Sequence, residues 1–313
     1  MSQIKVVQNS VGLLPFAKKY ARTHEVDLAI PNCQGSGVGN VLVYTRLIEE
    51  MARHLGRPIS IITAPLSPKV GTVDGESEYP FYENNPFIER IINAYNVDPE
   101  GFSEVNREED DLIQVNHIIE NLCFAYGLQP RCLRPSLFLT KDEQSWALLA
   151  LKHLPRPLVC LHPGGTTSSL PGCPWHRINW LHIIETLKME AGFFQVGRKN
   201  SVDQDLGLPN PGKTIREAMA LIWASDVFIG YDSSPMHMAT ALQKPVITII
   251  HMQNKYNWET SIKETFTPSV ILRWLYPFNT NFAIMPEDIN GRVLLYRVID
   301  AVRGELKRLA YKI

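Results

Sequence analysis

The stretch richest in potential chemistry is Phe228-Ile229-Gly230-Tyr231-Asp232-Ser233-Ser234-Pro235-Met236-His237, a polar turn set between an apolar run and a helical pattern. Pro235 suits the first helical position, where a missing N–H costs nothing. Ser233 or Ser234 offers a hydroxyl to cap the helix. The free amides and positive dipole end of such a helix form a place for a diphosphate, with Ser233, Ser234, Pro235 and Met236 around it. His237 falls in the first helical turn, within reach of a phosphate oxygen, and Asp232 can orient the turn amides or hold a sugar hydroxyl. The same residues also read as a plain capped helix with a packed histidine, and the local sequence does not choose.

Two further loops follow apolar runs in the same half of the chain. His162-Pro163-Gly164-Gly165-Thr166-Thr167-Ser168-Ser169 combines two glycines, which allow close backbone approach, with four hydroxyls that can donate to phosphate or sugar. Val196-Gly197-Arg198-Lys199 closes another run with two cations. Surface loops whose hydroxyls bond their own backbone, and solvated cations, are the competing readings. In the first half, Gly35-Ser36-Gly37-Val38-Gly39-Asn40 has glycines spaced GxGxG, not GxGxxG, and the next strand, ending Ile62-Thr63-Ala64, lacks the acid that binds a ribose. A nicotinamide dehydrogenase is therefore disfavoured. The chain also lacks GK[ST], GxSxG and HExxH, so P-loop, serine-hydrolase and zincin readings have no support.

The elements that must position these loops follow from periodicity. Val26 to Ile30 reads as a strand entering the glycine loop. Val41, Tyr44, Leu47, Ile48, Met51 and Leu55 recur at helical spacing, and Ile59 to Thr63 is a β-branched strand. Residues 65 to 86 form a long loop rich in Pro, Gly, Tyr and acid. A short strand near Ile91, a helix around 112 to 126 and the extended segment Arg134 to Leu139 lead to Thr140-Lys141-Asp142-Glu143, a capping box. Leu154-Pro155-Arg156-Pro157 is the candidate linker, dividing a domain over 1–154 from one over 155–313. Beyond it, strands and helices alternate: Leu158 to Leu161, helix 180 to 189, Phe193 to Val196, a second capping box at Thr214 and Glu217, Val227 to Ile229, helix 235 to 242, and Pro245 to Ile250. An amphipathic helix after Pro286 ends the chain. The expectation is α/β: two doubly wound domains facing a cleft, with the last helix free to cross back to the first domain.

Composition narrows the function classes. At 313 residues the chain exceeds the usual single core. A net charge of −1 gives no general attraction to nucleic acid or anionic lipid. Five cysteines without a CxxC pair suggest neither a disulfide framework nor a zinc site. No signal-type N-terminus and no apolar run near the ~20 residues of a membrane span are seen, so a cytoplasmic location is expected.

Asp232-Ser233-Ser234-Pro235-Met236-His237-Met238-Ala239-Thr240-Ala241-Leu242-Gln243-Lys244-Pro245-Val246 resembles the donor-diphosphate segment D-[ST]-G-x-x-H-x-A-x-A-L-x-x-P-x of glycosyltransferase family 9, the ADP-heptose:lipopolysaccharide heptosyltransferases and their relatives. Ser234 stands where that family usually has glycine. His162-Pro163-Gly164, Gly39-Asn40-Val41-Leu42 and Asn84-Asn85-Pro86-Phe87-Ile88 agree in order, and the resemblance runs from about residue 30 to 305. It implies a GT-B fold of two Rossmann-like domains. The C-terminal domain would bind a nucleotide-diphospho-sugar, ADP-heptose first, and an acceptor would lie against the N-terminal domain. The reaction would be a single inverting displacement without metal or other cofactor, and no DxD motif is present. Gly164, Gly165, Thr166, Thr167, Gly197, Arg198 and Lys199 would join Ser233 to Met236 at the donor, with Gly37, Gly39, Asp74 and Glu76 on the acceptor side. Two positions depart from the family. Asn40 occupies the place of the aspartate base, and losing a general base costs about 10²- to 10⁴-fold in rate. Cys173 stands where a basic residue is usual. His176, Arg177, Arg198 or Lys199 could supply the cation, and Asp74, Glu76, Glu78 or Glu83 the base. A sugar-nucleotide epimerase of similar fold, or a catalytically weakened relative that only binds sugar nucleotides, are the rival readings.

Overall fold

The structure is a computed structural model that describes residues 14–31, 38–66, 76–108, 117–164, 177–197, 205–251, 255–256, 263–264, 274–284 and 292–310. The first lobe contains α1 (Pro15–Thr23), β1 (Leu28–Ala29), α2 (Val38–Leu55), β2 (Ile59–Thr63), β3 (Ile88–Asn93), α3 (Ala94–Val97), α4 (Pro99–Glu108), α5 (Ile118–Ala125) and α6 (Lys141–Ala150). Its strands lie parallel in the order β1-β2-β3. All five residues of β2 are buried, as expected for a β-branched parallel strand covered on both faces. Helix α1 lies ahead of the segment that the family resemblance covers. It packs on α4 and β1, and the Tyr20 hydroxyl donates to the Asp98 carbonyl at 2.7 Å.

The second lobe contains β4 (Leu158–His162), α7 (Arg177–Leu187), β5 (Gly192–Gln195), α8 (Ile215–Ala224), β6 (Val227–Tyr231), α9 (Ser234–Ala241), β7 (Val246–His251), β8 (Lys255–Tyr256), β9 (Lys263–Glu264), β10 (Thr280–Ile284) and α10 (Arg292–Ala310). Five parallel strands run in the order β10-β7-β6-β4-β5, and β8 and β9 form a small antiparallel pair. Side chains of the large sheet alternate between two apolar cores. Leu158, Cys160, Phe228 and Val246 face the core that holds α8 and α9. Val159, Leu161, Val227, Ile229, Ile247 and Ile249 face the one that holds α7 and α10. A period of two with both faces buried is what produces the unbroken apolar runs seen in these strands.

Both predicted capping boxes are present: Thr140 with Glu143 at α6, and Thr214 with Glu217 at α8. The last helix corrects an expectation. Leu294, Leu295, Val298, Ile299, Val302 and Leu306 bury against the second sheet and α7, so among the described residues α10 braces its own lobe and not the first. Its apolar stripe complements the face that α8 and α9 leave open, and burying it there satisfies the helix without a crossing.

The lobes are joined by packing as well as by the chain. Helix α2 lies against α9, and α6 lies against α8, so the core of the first lobe continues into one face of the second sheet. At this junction the Arg216 guanidinium, only 8% exposed, donates from Nε and Nη2 to the two Glu143 carboxylate oxygens at 2.6 and 2.5 Å. It also donates to the carbonyls of Pro80 and Phe138, both at 3.0 Å. The Arg216–Glu143 pair depresses the Glu143 pKa although burial opposes it. Among the described residues, no helix is long and apolar enough to cross a membrane.

Candidate functional site

The order β10-β7-β6-β4-β5 places β4 between strands that continue the chain in opposite directions, so the sheet reverses its winding between β4 and β6. A crevice opens at the carboxyl ends of strands at such a reversal, and open α/β sheets bind their ligands there. His162 ends β4, Gly197 follows β5, and Asp232 and Ser233 follow β6. Three segments far apart in sequence therefore meet at one edge.

Ser233 and His162 close the floor of this crevice. The Ser233 hydroxyl lies 3.0 Å from His162 Nδ1 and 3.1 Å from the Tyr231 carbonyl. Burial lowers the His162 pKa to about 4, so its ring is neutral at pH 7. When the single hydroxyl proton goes to the Tyr231 carbonyl, the serine oxygen accepts from His162 Nδ1–H. Gly197 stands over the same ring with φ near +122°, and a Cβ there would come within 3.2 Å of His162 Cδ2. The Gly197 carbonyl accepts from the Asn210 amide at 2.8 Å, which fixes the turn. Glycine is thus required at 197 for its backbone and for close approach.

Helix α9 begins as the sequence predicts but offers fewer donors than expected. Ser233 is the N-cap in extended conformation, yet its hydroxyl serves His162 and Tyr231 and makes no capping bond. Pro235 lacks an N–H, and the amides of Met236 and His237 both donate to the Ser233 carbonyl. Ser234 is left as the one residue of the first helical turn whose amide can face an anion. The Met236 side chain is fully buried in the core, where its sulfur accepts from the Thr240 hydroxyl at 3.8 Å and the Asn279 amide at 3.6 Å, which differs from its expected place at the donor.

His237 is buried at 4% exposure and belongs to an aromatic cluster. Its Nδ1 lies 2.7 Å from the Tyr276 hydroxyl. Its ring meets those of Tyr276 and Trp274 edge-on. Its Nε2 is 3.8 Å from Asp232 Oδ1, too long for a hydrogen bond. Burial, with His117 nearby, lowers the His237 pKa to about 3. Asp232 retains 36% of its side-chain surface but sits deep enough for desolvation to raise its pKa to about 6. At pH 7 a neutral imidazole thus lies behind a mostly ionised carboxylate, and the two form no ion pair.

His117, absent from any motif, is contributed by the first lobe. It caps α5 by accepting the Ile119 amide at Nδ1, lies 5.1 Å from Tyr276 ring to ring, and keeps Nε2 buried without a partner. Burial lowers its pKa to about 4. Tyr276 is held by Asn281, whose amide donates to its carbonyl, while Asn279 bonds Thr240 of α9. The sequence reading placed His117 inside the helical stretch around 112 to 126, whereas it is the cap that precedes α5, and neither it nor Tyr276 belonged to a motif.

Of the remaining predicted residues, Gly164 follows β4 at the crevice and Gly39 and Asn40 lie in the first turn of α2, the helix that packs on α9. Gly37, Asp74, Gly165, Thr166, Thr167, Cys173, His176, Arg198 and Lys199 lie outside the described residues. Arg177 starts α7 and its Nε donates to the Asp205 carbonyl at 3.0 Å. Glu76 differs from its acceptor-side reading: its Oε2 accepts the Ile215 amide at the start of α8 at 2.8 Å. Its Oε1 is buried and unpartnered, and desolvation raises its pKa. It therefore caps a helix of the other lobe. Among the described residues, no group of three His, Cys, Asp or Glu is placed to hold a metal.

Residues 211–267, which contain β6, α9 and β7, match the family model for glycosyltransferase family 9 (heptosyltransferase). The resemblance is to family 9. No curated protein matches the chain. Solved structures share its fold, among them three of similar length. A family 9 glycosyl transferase from Veillonella parvula DSM 2008 aligns with a TM-score of 0.62 at 11% identity, over 90% of this chain and 96% of that one. The E. coli ADP-heptose lps heptosyltransferase II aligns at 0.58 and 14%, over 90% and 98%. The E. coli heptosyltransferase WaaC with ADP aligns at 0.52 and 11%, over 88% and 99%. The architecture is thus GT-B, and the family 9 match falls on the crevice segment. Together they support a glycosyltransferase as the class of enzyme.

Proposed function

We propose that this protein is an inverting, metal-independent glycosyltransferase of the cytoplasm that takes a sugar from a nucleotide-diphospho-sugar, ADP-heptose in the first instance. The observation that carries the reading is the His162–Ser233 contact across the winding reversal, inside the segment that matches family 9. The donor diphosphate lies at the start of α9, where the Ser234 amide and the helix dipole favour negative charge. Asp232, the one accessible carboxylate of the turn, takes a sugar or ribose hydroxyl. The floor beneath is uncharged because His162 and His237 are both neutral, so among the described residues the helix end is what favours the diphosphate, and the family resemblance adds Arg198 and Lys199 as its cations. In the displacement an acceptor hydroxyl attacks the anomeric carbon, the bond to the diphosphate breaks, and its electron pair leaves with the diphosphate. Stabilising that departing charge is the main work of the site.

Calorimetric titration with ADP, UDP, GDP, dTDP and ADP-heptose tests the reading. Selective binding of one diphosphate, lost in Asp232→Ala, is expected. If none of the five binds, the donor assignment fails and only the fold remains.

A further inference from the structure

Tyr276 is fully buried, and both lobes hold it in place. Within the second lobe its carbonyl accepts the Asn279 amide and the Asn281 side chain, each at 3.2 Å, and its ring stacks on Phe278. From the first lobe, the Arg134 guanidinium lies 4.2 Å from the Phe278 ring centre, and the His117 ring lies 5.1 Å from that of Tyr276. Among the described residues, the Tyr276 hydroxyl has one hydrogen-bond partner, His237 Nδ1 at 2.7 Å.

This contact fixes which nitrogen of His237 carries the proton. Burial keeps the ring neutral, with a pKa near 3, so it holds a single N–H. An N–H at Nδ1 would donate to the tyrosine oxygen and leave the phenolic proton buried without an acceptor, which is costly. With Nδ1 unprotonated, the tyrosine donates to it and the imidazole proton sits on Nε2. Nε2 is the ring atom 3.8 Å from Asp232 Oδ1, so the carboxylate meets an N–H there and not a lone pair. Asp232 keeps 36% of its side-chain surface and stands two residues before Ser234, where α9 begins.

We propose that Tyr276 is a positioning residue of the donor site: by donating to Nδ1 it holds His237 with its proton on Nε2, and that N–H orients Asp232 and offsets part of its charge, so that an ionised carboxylate can take a sugar hydroxyl beside a diphosphate. The inference rests on the glycosyltransferase reading. Without the tyrosine proton, the tautomer that turns a lone pair toward Asp232 becomes populated, and the carboxylate is left to repel the diphosphate at the start of α9. Because Tyr276 is packed by His117 and Arg134, the first lobe takes part in setting a donor site whose residues belong to the second.

Two measurements on the full-length protein test this. Nitrogen NMR of the unliganded protein, with His237 assigned by the signals lost in His237→Gln, is expected to show a pyridine-like Nδ1 and a pyrrole-like Nε2, and a mixture of tautomers in Tyr276→Phe. Calorimetry is expected to show ADP and ADP-heptose binding about 10-fold weaker in Tyr276→Phe. The glutamine amide of His237→Gln reaches the place of Nε2 without needing the tyrosine, so that variant stays near wild type and adding Tyr276→Phe to it changes nothing further. Both ligands weaken in either case: a larger loss for ADP-heptose puts the hydroxyl on the transferred sugar, and an equal loss puts it on the ribose. A proton on Nδ1 in the wild type, unchanged affinity in Tyr276→Phe, or losses that add in the double variant overturn the assignment. If the wild type binds neither ligand, the donor reading falls and the positioning role with it, while the nitrogen spectrum alone decides the tautomer.

Discussion

His162 Nδ1 and Ser233 Oγ lie 3.0 Å apart although 71 residues separate them, and they join the ends of β4 and β6 at the point where the sheet reverses. Ser233→Ala removes a buried partner and leaves the His162 nitrogen unpaired, a loss of about 1–3 kcal/mol. Urea denaturation should show that loss, and calorimetry a weaker diphosphate Kd. If Ser233→Ala is both as stable as wild type and as tight a binder, the contact holds nothing together.

Gly197→Ala tests the same floor from above. Alanine at φ near +122° is strained, and its methyl would press on the His162 ring at 3.2 Å. The cost of such a backbone is about 1–3 kcal/mol. A lowered urea midpoint together with weaker ADP binding is the expected result. The open Gly304, where a Cβ meets nothing, provides the control: Gly304→Ala should be neutral or slightly stabilising.

Arg216 and Glu143 hold the lobes through paired hydrogen bonds in a largely buried setting. Removing one partner of such a pair costs roughly 3 kcal/mol or more. Arg216→Lys should lose most of this, because an ammonium cannot serve Glu143, Pro80 and Phe138 from one plane. Differential scanning calorimetry should show a lower Tm for Arg216→Lys and Glu143→Gln. A double variant no worse than either single one would confirm that they act as a unit.

The buried histidines make stability sensitive to mild acid. His117 and His162 titrate near 4 and His237 near 3 when folded, against an ordinary value of 6.5, so between about pH 6.5 and 4 the unfolded chain binds more protons. Stability then falls as pH falls through that window. Asp232 acts in the opposite sense: with its folded pKa raised to about 6, it favours the folded state below 3.8 and loses that contribution as pH rises past 6. Three imidazoles outweigh one carboxyl. Urea midpoints should therefore drop between pH 7 and 5, before the depressed carboxyls Asp27, Glu49 and Glu143 come into play at lower pH. A flat profile over that range would show that the three rings are accessible to protonation in the folded state.

Tyr276→Phe deletes only the oxygen that meets His237 Nδ1. The ring packing survives, so the expected cost is about 1 kcal/mol in stability. If His237 matters to the donor through its orientation, ADP affinity falls in Tyr276→Phe as well. Unchanged affinity would assign the histidine to packing alone.

The sequence by itself determined the alternation of strands and helices, both capping boxes and the polar turn at Asp232 to Pro235. These depend on local spacing, on side chains that bond their own backbone, and on apolar runs whose two faces are both buried. It also pointed to Asp232 and Ser233 as chemistry-bearing positions. Only the tertiary structure decided which partners those residues have. His162 met Ser233 because strand order, which no local pattern encodes, set β4 beside β6. His117 and Tyr276 joined His237 because two lobes pack there. Glu76, an acidic loop residue in the sequence, became the cap of a helix in the other lobe. Helix α10 stayed on its own sheet because an apolar face was open for it there. A local sequence states what a side chain can donate, accept or bury, and the packing of distant segments determines which of those capacities is used.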